Sequence, residues 1–169
     1  MDSTSITLLA AIIILVAFSA YFSATETAFT SLNRIRLKTR ADDGDRRAEK
    51  VLKLAEQYDR LLSTILIGNN IVNITATTLS TVLFVKLCGD QTGPTISTVV
   101  LTVVILIFGE VSPKSLAKEA PETWAMFAAP LLHGLMVILT PLNFLFSCWK
   151  KLLNRLFRHG QAQGITEEE

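Results

Sequence analysis

The distribution of charge along this chain leaves very few folds open to it. No Asp, Glu, Lys or Arg occurs within Ser3–Thr25, Leu61–Val85, Gln91–Gly109 or Thr123–Trp149. A helix that crosses bilayer hydrocarbon needs roughly 20 predominantly apolar residues. Unpaired backbone N–H and C=O groups are costly there, so such runs fold as helices. The sequence therefore predicts an all-α integral membrane protein. Its net charge of +1 decides little, because the placement of Lys and Arg, not their sum, orients a membrane chain. The N-terminal apolar run is too long for a signal-peptide core and lacks a basic start, so it is expected to remain uncleaved. There is no glycine-rich phosphate loop, and nothing points to nucleic acid as a partner. Cys88 and Cys148 lie in or beside apolar segments without metal-ligand spacing and read as small packing residues.

Charge placement also sets a topology. Only Asp2 precedes the first run, whereas Asn33–Arg60 holds nine Lys/Arg against six Asp/Glu. The positive-inside rule then puts the N-terminus outside and this stretch in the cytoplasm. Spans are expected at about 5–31, 61–87 and 95–118, with Lys114 and Lys118 marking the cytoplasmic exit of the third. Between the first two, 33–58 reads as cytoplasm-facing helix interrupted by a turn at Asp42-Asp43-Gly44-Asp45. Ala48, Val51, Leu52, Ala55 and Tyr58 form an apolar stripe that docks without spanning. A fourth crossing at 123–149 would carry Lys150, Lys151, Arg155 and Arg158 outside, against the same bias. Pro130 and Pro141 cut that run, so 122–147 is read as a bent re-entrant or belt segment wrapping three spans, with Trp124 and Trp149 at the interface and His133 packed among apolar neighbours. Residues 1–147 make up the transmembrane domain. Residues 148–169 read as a juxtamembrane helix and the start of a linker, Ile165–Glu169 resembling the capped first turn of another helix.

Polar groups inside the spans are where function is sought. Ser19 and Ser23 share one helix face, with Glu26 a turn further on; Asn70, Asn73 and Thr77 recur on one stripe of the second span. In the third, Ile107-Phe108-Gly109-Glu110-Val111-Ser112-Pro113-Lys114 ends an uncharged run in a carboxylate and a proline. Pro113 has no N–H to give, which leaves the Gly109 carbonyl oxygen unbonded beside Glu110: two hard oxygens at one depth, half of a cation site. The plainer reading is a kinked helix end at which Glu110 pairs with Lys114. For the amides the plainer reading is interhelical contact through Gly68, Asn69 and their neighbours.

These stretches together resemble the transmembrane, DUF21-type domain of the CorC/CorB and cyclin-M family of magnesium transporters. The residues that carry the resemblance are Tyr21–Thr27, Leu32–Leu37, Asp59–Leu61, Ile67–Asn73 and Phe108–Lys114, in that order along the chain. The resemblance implies a homodimer with three spans and a helical belt per protomer, followed in longer members by CBS modules that bind ATP. It further implies a Mg²⁺ held largely without its water by Ser19, Ser23, Asn70, the Gly109 carbonyl and Glu110, with Asn73 and Glu26 as secondary candidates and Pro113 as a gating kink. Histidine and cysteine, which favour transition metals, are absent from that set.

The function expected is Mg²⁺ export coupled to inward Na⁺ across the plasma or inner membrane. The alternative is a non-transporting dimeric membrane anchor that regulates other transporters. No nucleophile is paired with a histidine or lysine base at a common depth, so the chain is not expected to be an enzyme.

Overall fold

The computed structural model describes residues 2–142 together with 144, 148 and 149. Three helices are long and apolar enough to cross a membrane: Ser3–Ser31, Tyr58–Cys88 and Gly93–Glu119. Among the described residues there is no strand, and the fold is an all-α membrane domain. The first span is α1 (Ser3–Ser31), capped by the Asp2 side chain, which accepts from the Ser5 N–H. At its far end the chain turns through Leu32, in extended conformation, into α2 (Arg34–Asp42), whose cap is Asn33. Gly44, at φ +95°, takes a left-handed conformation that other residues avoid. The chain thereby reverses into α3 (Arg46–Glu56), and Asp45 accepts from the Arg47 and Ala48 N–H groups at its start. The expected 33–58 helix is thus a hairpin of two. α3 docks through Ala48, Val51, Leu54 and Ala55, all buried. Tyr58 opens the next helix instead of closing this stripe.

The second span is α4 (Tyr58–Cys88). Along its C-terminal half Thr75, Thr77, Thr78 and Thr81 each donate to the carbonyl four residues back, which lets hydroxyls face an apolar medium without partners from other helices. The third span consists of α5 (Gly93–Val104), a π-helical segment (Ile105–Val111) and α6 (Ser112–Glu119). The kink expected at Pro113 is not a break. One residue is accommodated in a wider turn, the Ser112 N–H reaching back to the Ile107 carbonyl, and helical backbone runs on to Glu119.

α7 (Pro121–Ile138) continues through Pro130 as one helix. It wraps the end of the bundle that carries α2 and α3, tied there by polar contacts with Tyr21, Thr25, Arg36 and Arg60. Tyr21 donates to the Ala128 carbonyl at 2.8 Å and Trp124 Nε1 to Thr25 Oγ1 at 3.3 Å. Arg36 lies 3.8 Å from the Glu122 carboxylate. Arg60 donates to the Met136 carbonyl at 3.1 Å and to Thr140 Oγ1 at 2.7 Å, placing a cation at the negative end of the helix dipole. The larger core cluster is at this end, built from Phe22, Leu37, Val51, Leu61, Ile65, Ala125 and Leu132 among others. A smaller one, Ile12, Ala76, Leu83 and Leu101, holds the opposite half. His133 is exposed, the neighbouring Leu132 taking the buried place. Cys88 and Cys148 are also exposed free thiols, not packing residues. Apart from Cys148 and Trp149, the expected 148–169 helix and linker lie outside the described residues.

Candidate functional site

At mid-span the first two helices come together because a glycine lets them. A Cβ on Gly68 would lie 2.4 Å from Phe22 Cζ, so the ring occupies the space a side chain would need. That approach carries Asn69, the next residue, to α1. Ser19 donates to Asn69 Oδ1 at 3.2 Å, and Asn73 Nδ2 donates to the same oxygen at 3.4 Å. The π segment of the third span closes the other side. A Cβ on Gly109 would lie 3.0 Å from Ser19 Oγ, and Gly109 is buried. Ser19 is therefore the point at which all three spans meet. A π turn inserted in an α-helix is common at functional positions. Pro113 can donate to neither Gly109, four residues back, nor Phe108, five back, so one carbonyl of this turn lacks an intrahelical donor.

The oxygens here are unevenly satisfied. Ser23, one turn past Ser19 on the same face, is 2% exposed, and its hydroxyl has no hydrogen-bond partner. The Asn73 Oδ1 atom is likewise buried without a donor. Leaving a buried polar group unmatched costs about 1–3 kcal/mol. These two groups each lie one helical turn from the Ser19–Asn69 pair, with electron pairs to offer. Glu110 adjoins Gly109 in the π turn, half-buried, and its carboxylate forms no ion pair among the described residues.

Other expected members stand elsewhere. Asn70 is exposed; it follows Asn69 by one residue, which turns it about 100° around a 3.6-residue helix and off the face that Gly68 sets. Asn69 is the amide that meets Ser19, and the glycine before it is the sequence signal that marks this face. Glu26 lies 3.2 Å from Lys114 Nζ. This ion pair ties the first span to α6 below the cluster, and it gives Lys114 a different partner from Glu110. Among the described residues no group of three or more His, Cys, Asp and Glu side chains comes together, so the ligands on offer are neutral oxygens with isolated carboxylates.

Residues 10–169 match the family described as the cyclin M transmembrane N-terminal domain. A UPF0053 protein of Haemophilus influenzae is 41% identical over 173 residues, covering all of this chain and 41% of the relative. The UPF0053 inner membrane protein YfjD of Escherichia coli is 45% identical over 138 residues, 82% of this chain and 32% of the relative. A protein of Haemophilus influenzae named as a polyamine export protein is 28% identical over 173 residues, 94% of this chain and 40% of the relative. The chain thus spans less than half the length of each of these relatives.

Proposed function

Because the chain belongs to the cyclin M transmembrane-domain family, we propose that it is the ion-carrying unit of a Mg²⁺ transporter, binding the dication at the meeting point of its three spans and exporting it against entering Na⁺. The observation that carries this reading is the set of polar groups around Ser19, two of whose oxygens, Ser23 Oγ and Asn73 Oδ1, are buried without a partner: the hydroxyls of Ser19 and Ser23, the amides of Asn69 and Asn73, and the π turn bearing Gly109 and Glu110. Mg²⁺ takes about six oxygens at roughly 2.0–2.1 Å and sheds water reluctantly. Several preplaced oxygens and one formal charge suit that demand. Glu110 supplies the charge, while the neutral groups keep binding weak enough for release. The basic end, with α2, α3 and α7, faces the cytoplasm on this reading, and two copies form the working unit.

A polyamine as cargo has in its favour two relatives named as polyamine export proteins. The tight approach of Gly109 to Ser19 favours a compact, dehydrated ion over an extended organic cation. The anchor reading leaves these buried oxygens without a purpose. The test is Mg²⁺ flux into proteoliposomes containing the full-length protein, with putrescine as competitor. Glu110→Ala and Asn69→Ala are expected to reduce flux at least tenfold, about the effect of losing one good charge-assisted contact, while Asn70→Ala retains it. Flux unchanged in the first two variants would favour the anchor; flux abolished by equimolar putrescine would favour the amine.

A further inference from the structure

Outside the ion site, the structure carries a second set of features with a definite chemistry, at the junction of the α2–α3 hairpin and α7. A cleft of about 280 Å³ is lined on one rim by Arg47 and Lys50 and on the other by Met126, Phe127, Ala129 and Pro130. A neighbouring cleft shares Arg47, Met126 and Phe127 and adds Arg40, Asp45 and Thr123. Arg40 and Asp45 neutralise one another at 2.9 Å. Arg47 and Lys50 form no ion pair with any described residue. α7 brings no counter-charge, its one acid, Glu122, being paired to Arg36. The two clefts together therefore hold an excess of two positive charges. The opposite wall is apolar and uncovered: Phe127 is 69% exposed, its ring against that of Trp124.

The depth of the two walls decides what fits. α7 touches α1 at Thr25 and Tyr21. Tyr21 lies ten residues before the end of α1, or about 15 Å along the axis. The apolar wall therefore lies against the first span, whereas Arg47 and Lys50 are exposed on α3, in the stretch of chain between the first two spans. A bilayer presents that same succession, hydrocarbon first and charged headgroup after. Long basic side chains and aromatic rings at such a boundary favour anionic lipid.

We propose that this cleft is a binding site for an anionic phospholipid, its phosphate held by Arg47 and Lys50 and its acyl chain laid against Phe127, Met126 and Pro130. The occupant clamps α3 to α7 from outside, and the site works independently of which ion the spans carry. The test is native mass spectrometry of the detergent-solubilised chain titrated with phosphatidylglycerol or with phosphatidylcholine of the same acyl composition. The parent is expected to retain phosphatidylglycerol about tenfold better, each cation near an anionic headgroup contributing severalfold. R47Q/K50Q is expected to bring the two lipids level, and F127S to weaken both. K38Q/K118Q, which removes two exposed lysines elsewhere, is expected to keep the preference. Equal retention by the parent, or a preference that survives R47Q/K50Q, overturns the proposal. Displacement of the lipid by millimolar inorganic phosphate would overturn it too, by showing a site for free anion.

Discussion

Gly68 shows how much one missing side chain can decide. Nothing in its place could have a Cβ without moving Phe22, and the contact it permits sets which asparagine faces inward. Gly68→Ala is expected to destabilise the chain by about 1–3 kcal/mol, as overpacking does, seen as a lowered midpoint of thermal unfolding in detergent. Phe22→Leu in the same chain should recover part of the loss, and a Gly68→Ala midpoint equal to the parent's would refute the close approach. At this scale the sequence was only half readable. Ser19, Ser23, Gly109 and Glu110 stand out as polar or small residues in apolar runs, and the structure brings Ser19 and Gly109 together. The choice between Asn69 and Asn70 depends on helix rotation, which one stripe of polar residues does not determine when three amides fall within five positions.

Among the elements, the α2–α3 hairpin was visible in the sequence from its turn composition, and its cap can be tested directly. Asp45 is held below the ordinary aspartate pKa by the Arg47 N–H first, then by Ala48 and Arg40. A group whose folded pKa is depressed stabilises the fold above its unfolded pKa, and that contribution disappears as pH falls through the lower folded value. The first turn of α3 should therefore keep its protection at pH 5 and lose it as pH drops below 3.8, the ordinary value. The readout is hydrogen exchange at the Arg47 and Ala48 amides, corrected for the intrinsic pH dependence. Asp45→Ala should show the same loss already at neutral pH; unchanged protection in that variant would remove the cap from the account. The π segment was less readable. Proline signals a lost hydrogen bond, but whether a helix answers by kinking or by widening depends on what packs beside it, here Ser19 against Gly109. Likewise Pro130 suggested a cut in α7, yet Tyr21 and Arg60 hold both halves against the bundle.

For the whole molecule, three crossings and a belt follow from charge-free runs and the placement of basic residues, because both are properties of long segments that local packing does not override. Contacts between distant parts are not written that way. Nothing in the sequence pairs Glu26 with Lys114, 3.2 Å apart, across the first and third spans. Glu26→Gln should loosen this tie and raise the labelling rate of a cysteine placed at Ser23 by a membrane-impermeant thiol reagent applied to the basic end, Cys88 and Cys148 having first been replaced by serine. The swap E26K/K114E should return the rate toward the parent's. Equal labelling in all three would mean that the pair does not restrict access. Four threonines in the C-terminal half of α4 show what a bonding pattern can do to a surface. Each of the four has committed its proton to its own helix, so only lone pairs remain to face outward. Such a surface has electron density to lend and no hydrogen to give, which makes it hospitable to a passing cation and indifferent to an anion.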